Sequence, residues 1–249
     1  LKKFKINSVI HLAAQAGVRY SIENPSIYLK SNIDGFFNAI NYCNHNKIKK
    51  FIYASSSSVY GNENKVPFKE NFKCNKPESF YAFTKRSNEL MAHSFFKNYS
   101  LKSVALRFFT VYGPWGRPDM APFIFLDSLY KNKSINVYNY GKQMRDFTYI
   151  EDIVNSIFLL NENFNKVKKS EIYNIGRSKP IKLMDFINVI ETLTNKKIEK
   201  KLVSKQNGDV DNTFADVSKL NKLIGYLPYW SIKKGMRVFN DWFLKYYKI

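Results

Sequence analysis

The fold is decided by a short apolar run that ends in hydroxyl side chains, KFIYASSSSVYG at residues 50–61. Apolar runs of this length are typical of strands that are buried on both faces of a parallel sheet. Similar runs at residues 8–12 and 103–108 predict two further strands. The segments 26–46 and 80–99 repeat apolar residues at helical spacing and predict helices between the strands. This alternation indicates right-handed crossovers and a doubly wound, parallel α/β sheet.

The pattern changes after the third predicted strand. Glycine and proline interrupt it at residues 113–118, and the later elements are shorter, with helices predicted at 181–194 and 232–247. We therefore expect residues 1–112 to form the first domain. Residues 113–249 are expected to form mainly a small α/β lobe, with some segments returning to the first sheet.

The composition excludes several classes of protein. The chain has 249 residues, of which 45% are hydrophobic, so wholesale disorder is excluded. No run approaches the roughly 18 apolar residues of a transmembrane helix. Cys43 and Cys74 are the only cysteines, which excludes a disulfide framework and favours a reducing compartment, the cytoplasm. No metal site is predicted, because His45 and His93 lie on predicted helices without a second ligand nearby.

The net charge of +20 raises the possibility of a nucleic-acid partner. Only seven of the 40 basic residues are arginine, the residue that base-reading surfaces favour, and the lysines are spread along the chain. We therefore expect a solvated surface and no nucleic-acid partner. A basic nucleic-acid-binding protein is the alternative from another class, and it leaves the ordered set of polar residues described next unexplained.

Polar residues follow each predicted strand. In a parallel α/β sheet the ligand binds at the carboxyl ends of the strands. The segments found there are residues 13–17, the four serines at 55–58, and residues 109–113. These positions are the first candidates for a site.

Tyr81 and Lys85 stand four residues apart on a predicted helix and therefore share one face. A lysine ammonium stabilises a nearby phenolate and lowers the pKa of the phenol. With a serine hydroxyl at the end of the preceding strand, the pair makes a base that can deprotonate a carbinol while a hydride leaves its carbon. The pair alone also arises by chance, as a packed tyrosine beside a solvated lysine.

Together with further segments of the sequence, this pair forms a pattern that is typical of a protein family. They are residues 11–19, 54–61, 81–85, 106–121, 145–150 and 208–216, in this order along the chain. In these segments the chain resembles the extended short-chain dehydrogenase/reductase superfamily, in its nucleotide-sugar epimerase/dehydratase branch. Most narrowly it resembles the UDP-glucuronate 4-epimerases.

The resemblance implies NAD-dependent 4-epimerisation of a UDP-sugar, UDP-glucuronate to UDP-galacturonate, through a transient 4-keto sugar, for surface polysaccharide. It implies these catalytic residues: Tyr81, Lys85, Ser56 and Ser57. It implies these NAD-binding residues: Ala13, Ala14, Gln15, Asn32, Ser55, Tyr81 and Lys85. It implies these substrate-binding residues: Ser56, Thr110, Arg117, Arg145 and Asp209.

Two positions bear on the type of reaction. Related 4,6-dehydratases carry an acidic pair where this chain has Ser57 and Ser58. Elimination needs a carboxylate acid/base, so simple epimerisation is favoured. Arg117 can meet a carboxylate or a phosphate with two hydrogen bonds, and Arg145 matches a family arginine that binds the diphosphate.

The resemblance also implies that the chain is truncated at its N-terminus. Family members begin with a strand, a Gly-rich turn and a helix that cradle the pyrophosphate of NAD, and the glycines of this sequence never form that motif. About 70–80 residues are expected to be missing, with the first strands of the sheet. Residues 1–112 are then the remainder of the NAD-binding Rossmann domain, and 113–249 mainly bind the nucleotide sugar.

The resemblance leaves three interpretations open. The chain is a UDP-glucuronate 4-epimerase, another UDP-sugar 4-epimerase, of the UDP-glucose or UDP-N-acetylglucosamine type, or an inactive truncated relative. Family members commonly form homodimers through a four-helix interface. The apolar content of the helices predicted at 26–46 and 80–99 permits such a pairing.

Overall fold

The computed structural model describes residues 4–205 and 212–249. Its helices are α1 (Val18–Glu23), α2 (Pro25–Tyr28), α3 (Gly35–His45), α4 (Phe80–Tyr99), α5 (Ala121–Tyr130), α6 (Ile150–Glu162), α7 (Leu183–Thr194), α8 (Ser218–Ile224) and α9 (Ile232–Tyr247). Its strands are β1 (Ser8–His11), β2 (Lys50–Ser56), β3 (Ser103–Phe108), β4 (Thr110–Tyr112), β5 (Ile135–Val137), β6 (Met144–Arg145), β7 (Phe147–Tyr149), β8 (Ser170–Ile175), β9 (Ile181–Lys182), β10 (Lys200–Leu202) and β11 (Asn212–Thr213).

The chain divides into two compact units. The first unit consists of Leu1–Phe108, Ser156–Ile175 and Asp216–Tyr226, and the second of Phe109–Asn155, Gly176–Ala215 and Leu227–Ile249. The division falls before residue 112, the boundary expected from the sequence. The reason is that β4 pairs with β7 of the second unit.

The first unit is built on a parallel sheet in the order β1-β2-β3-β8. In the β1–β2 pair, Phe51 lies opposite Val9, and in the β3–β8 pair, Leu106 lies opposite Tyr173. Phe51 and Tyr53 on one face of β2 are buried with Phe36 of α3, and Ile52 on the opposite face is buried as well. This parallel sheet with intervening helices confirms the predicted fold class.

The helix predicted at 26–46 is interrupted. Leu29–Asp34 forms a π-helix between α2 and α3. The wider turn places the buried Asn32 side chain inward, where its Oδ1 accepts a hydrogen bond from Gln15 N at 2.8 Å. Single-turn π segments inside helices are frequently found at functional sites.

The second unit holds its own apolar core and several small sheets. These sheets are β4-β7, β5-β10 and β6 between β9 and β11. Phe147 of β7 stacks on Phe186 of α7, with ring centroids 4.1 Å apart. The helix predicted at 181–194 begins at Leu183, because Ile181 and Lys182 pair as β9 with β6.

Within the described residues, no helix combines the length and the apolar character that crossing a membrane requires.

Candidate active site

Helix α4 begins so that Tyr81 lies in its first turn. Ser79 caps the helix, and its Oγ accepts a hydrogen bond from Ala82 N at 3.1 Å. Tyr81 N donates to Ser21 Oγ, 3.0 Å away. Amides of the first turn have no partner inside the helix, and here serine side chains supply one. The start of the helix, and with it the position of Tyr81, is therefore fixed by hydrogen bonds to Ser79 and Ser21.

Lys85 lies one turn after Tyr81 and is almost fully buried, with 3% of its surface exposed. Its Nζ donates to Ala54 O of β2 at 2.8 Å and lies 5.9 Å from the centroid of the Tyr81 ring. Burial lowers the pKa of Lys85 to about 8. The side chain is still mainly an ammonium at neutral pH, so its charge favours the phenolate form of a nearby tyrosine.

The serines after β2 have different surroundings. Ser56 caps a 3-10 helix, Ser57–Tyr60, and its Oγ accepts a hydrogen bond from Ser58 N at 3.1 Å. The same Oγ lies 3.1 Å from Ser58 Oγ. Ser57 is half-buried at the start of this turn. The turn therefore holds the Ser56 hydroxyl in place at the carboxyl end of β2.

Ser55 faces into the fold. Its hydroxyl donates to Glu89 Oε1 at 2.7 Å, and Ser55 is buried. Glu89 is also bonded by the guanidinium groups of Arg107 and Arg86. The structure thus gives Ser55 a partner inside the fold, and its predicted contact with the cofactor stays a prediction.

The segment after β1 is held by Asn32. The Asn32 Nδ2 donates to Gln15 O at 2.9 Å and lies 3.1 Å from Thr84 Oγ1 of α4. Ala13 and Ala14 are exposed at the carboxyl end of β1. Asn32 and Gln15 therefore act as one hydrogen-bonded pair that ties this segment to the helix of Tyr81.

The predicted substrate residues Thr110 and Arg145 belong to the second unit. Thr110 N donates to Asp146 O at 3.2 Å, and Thr110 lies opposite Phe147, where β4 and β7 begin. Arg145 is half-buried in β6, and its Nη1 donates to Met144 O at 3.0 Å. Asp209, the remaining predicted substrate residue, lies outside the described residues.

Arg117 lies in the loop after β4 and pairs with a neighbour in sequence. Its Nε donates to Asp119 Oδ1 at 3.0 Å, and its Nη2 bonds Asp119 Oδ2. The Arg117 side chain is 43% exposed. The guanidinium thus already presents its two-donor edge to a carboxylate.

The sequence analysis did not single out the buried charged residues Glu89, Arg107 and Asp146. Glu89 follows Lys85 at the next helical turn, and Arg107 interrupts an apolar strand, which together indicate a buried ion pair. Asp146 Oδ1 accepts a hydrogen bond from Arg177 N at 3.0 Å, and its Oδ2 accepts one from Ser178 N at 2.9 Å. Burial raises the pKa of Asp146. Glu89 and Arg107 thus link α4 to β3, and Asp146 holds the loop that follows β8.

Metal chemistry needs a group of ligands. Across residues 4–205 and 212–249, no three His, Cys, Asp or Glu side chains are grouped closely enough to hold a metal ion.

Comparison with known proteins identifies a family. Residues 1–176 match the model of the NAD dependent epimerase/dehydratase family. The chain is 43% identical to UDP-glucuronate 4-epimerase 4 of Arabidopsis thaliana, over 99% of this chain and 60% of the plant protein.

Two solved structures show how far the likeness extends in space. The UDP-glucuronic acid 4-epimerase of Bacillus cereus, in complex with UDP-glucuronic acid and NAD, superposes with a TM-score of 0.92 at 34% identity. That match covers 97% of this chain and 76% of the other. A UDP-N-acetylglucosamine 4-epimerase of Methanobrevibacter ruminantium superposes with a TM-score of 0.89 at 31% identity, covering 96% of this chain and 77% of the other.

We expect the Lys85 ammonium to titrate near pH 8, well below the ordinary lysine value of 10.5. The folded-state pKa is lowered, so the unfolded chain binds more protons between these values, and the stability contributed by Lys85 rises with pH across this window. NMR of ¹³C-labelled lysine measures the titration, and Lys85→Met identifies the signal by its loss. A Lys85 signal that titrates together with the surface lysines contradicts the prediction.

Proposed function

Because the chain belongs to the NAD-dependent epimerase/dehydratase family, we propose that it inverts C4 of UDP-glucuronate and gives UDP-galacturonate. The observation that carries the proposal is the buried Lys85 beside Tyr81, next to serine hydroxyls at the end of β2. Relatives that bear the name UDP-glucuronate 4-epimerase support the choice of substrate.

Tyr81 acts as the base and later as the acid. Its phenolate takes the proton of the sugar 4-hydroxyl, and its phenol returns the proton when C4 is reduced from the other face. The Lys85 charge favours this phenolate. Ser56 holds the oxygen at C4, since the turn fixes its hydroxyl. Ser57, next in the same turn, is assigned to the same polar edge.

The donor set of the first unit fits the ribose and nicotinamide end of NAD. An ammonium carries three N–H donors, and Ala54 O accepts one from Lys85, so the same group can also donate to ribose hydroxyls. When bound, NAD would supply the acceptor and the source of the hydride that C4 exchanges. The residues assigned to hold it are Ala13, Ala14, Gln15, Asn32, Ser55, Tyr81 and Lys85.

The side chains beside Ser56 favour epimerisation over elimination. Ser57 and Ser58 offer hydroxyls, whose pKa is too high for general acid/base catalysis of water loss. Without a carboxylate at these positions, the 4-keto sugar is expected to be reduced again rather than dehydrated.

In the second unit, Arg117 is assigned to the carboxylate of the uronic acid. Its two-donor edge matches a planar carboxylate, as its pairing with Asp119 illustrates. Arg145 is assigned to the diphosphate, Thr110 to the sugar and Asp209 to the nucleotide sugar. An acidic sugar is thus preferred over a neutral one.

A second candidate is 4-epimerisation of another UDP-sugar. The likeness to a UDP-N-acetylglucosamine 4-epimerase favours it, at nearly the same TM-score. Incubation with NAD and each UDP-sugar, followed by chromatography of the products, separates the two candidates. Formation of UDP-galacturonate alone supports the first, and conversion of UDP-N-acetylglucosamine alone replaces it with the second.

The cytoplasm is the proposed location, and surface polysaccharide the proposed use of the product. Cys43 and Cys74 are both free and buried, as suits a reducing compartment. Uronic acids supply negative charge to polysaccharides, which is the chemical ground for this use.

A homodimer through α3 and α4 is proposed on their exposed apolar residues. Phe37 of α3 is 44% exposed, and Phe83 and Leu90 of α4 are 42% and 56% exposed. Phe83 and Leu90 are seven residues apart and lie on one helical face. Pairing α3 and α4 with the same helices of a second copy buries this face in a four-helix interface.

Tyr81→Phe removes the proposed base. We expect kcat for UDP-glucuronate to fall by about 10²–10⁴, with substrate affinity largely kept, because only the proton transfer is lost. Product chromatography measures kcat, and calorimetry measures affinity. Tyr99→Phe, at the exposed end of the same helix, is the matched control. Turnover near that of the wild type in Tyr81→Phe rules out the assignment.

Arg117→Ala removes the proposed contact with the uronate carboxylate. A bonded pair of charges contributes about 1.5–3 kcal/mol, so we expect UDP-glucuronate affinity to fall roughly 10- to 100-fold and UDP-glucose affinity to change little. Calorimetry with both nucleotides checks this. Arg237→Ala, which removes an exposed charge from α9, is the control. Equal losses for both sugars would remove Arg117 from this role.

Leu90→Asp places a charge in the proposed interface. We expect a monomer in light scattering after gel filtration, because an unpaired carboxylate is costly in a buried interface. Leu227→Asp, at a residue of similar exposure in the second unit, should leave the dimer intact. A wild-type protein that is monomeric at all concentrations contradicts the proposal.

A further inference from the structure

The loop that carries Arg117 has a fixed backbone. Gly113 has a φ of 142°, and a Cβ there would come 2.5 Å from Ile150 Cγ2, so only glycine fits. Gly116 N donates to Gly113 O at 3.0 Å, which closes a turn. Between these glycines, the Trp115 ring packs on Trp242 of α9, with centroids 5.4 Å apart. The backbone that leads to Arg117 is therefore fixed.

A second turn follows at once and brings Asp119 beside Arg117. Met120 N donates to Arg117 O at 3.2 Å, which makes residues 117–120 a β-turn. Pro118 occupies the second position and Asp119 the third, and both residue types suit turns of this kind. The pairing of the two side chains is thus a product of local sequence.

The Asp119 carboxylate occupies the same two donors that a uronate would use. Nε and Nη2 of Arg117 each bond one of its oxygens. Both side chains are exposed, 43% for Arg117 and 62% for Asp119, so water screens the pair and it can open at little cost. A planar carboxylate from a ligand can replace Asp119 without leaving Arg117 unpaired.

We propose that Asp119 is an exchangeable internal counter-ion of Arg117, which a substrate carboxylate displaces. This inference rests on the proposed function, because it needs Arg117 to bind the uronate. Asp119 then weakens the binding of acidic sugars selectively, while a neutral sugar leaves the Arg117–Asp119 pair intact. Inversion at C4 leaves the carboxylate unchanged, so the same competition promotes release of the product.

Asp119→Asn tests the competition, because asparagine keeps the preference for the turn and removes the charge. The expected result is a two- to fivefold lower Kd for UDP-glucuronate and a Kd for UDP-glucose within twofold of the wild type. Calorimetry measures both values. Asp127→Asn is the matched control, since Asp127 forms a partly exposed ion pair with Lys131 at 2.7 Å on α5 of the same unit. The control should change neither value.

The double variant separates competition from simple repulsion. In the Arg117→Ala background, Asp119→Asn should change UDP-glucuronate affinity less than twofold. The guanidinium for which Asp119 and the substrate carboxylate compete is then absent. An equal gain in both backgrounds, or an unchanged ratio of the two affinities in Asp119→Asn, overturns the inference. If the wild type neither binds nor converts UDP-glucuronate, the proposed function fails, and this inference fails with it.

Discussion

The residues proposed as catalytic in the first unit depend on the buried ion pair between Glu89 and Arg107. Nε and Nη2 of Arg107 each donate to a Glu89 oxygen at 2.8 Å, and both side chains are fully buried. Burial opposes the Glu89 charge, but the hydrogen bonds and charge of Arg107 outweigh it, so the pKa of Glu89 is lowered. Loss of one partner from such a pair costs about 3–5 kcal/mol. The pair therefore holds β3 against α4 permanently.

This ion pair also helps to fix the position of Lys85. Glu89 takes the hydroxyl of Ser55 at 2.7 Å, and Lys85, one helical turn earlier, donates to the carbonyl of Ala54 at 2.8 Å. Two successive residues of β2 are thus bonded to two successive turns of α4. The next residue, Ser56, ends the strand and fixes its hydroxyl in the following turn. A shift of the helix along the strand would break both contacts together, so the polar groups of the site keep their spacing.

Local patterns in the sequence predict part of the fold and part of the candidate site. The strands, α4, Tyr81 and Lys85 follow from apolar runs and from spacing within one helix, and such features depend on near neighbours in sequence. The break in the helix predicted at 26–46 does not, because the π-helix is held by bonds from Asn32 to Gln15 and to Thr84, far away in the chain. The same holds for Ser55, whose partner is 34 residues away. A serine beside a predicted site has several possible partners, and only the fold selects one.

The two arginine–carboxylate pairs of this protein share one chemistry and differ in their surroundings. Arg107 and Glu89 are sealed from water, so their attraction is weakly screened and opening the pair would leave two buried charges. Arg117 and Asp119 make the same two-pronged contact where water screens both charges. The first pair suits a permanent support, and the second suits a contact that a ligand can exchange. Burial, rather than hydrogen-bond geometry, thus decides which pair stabilises the fold and which can take part in recognition.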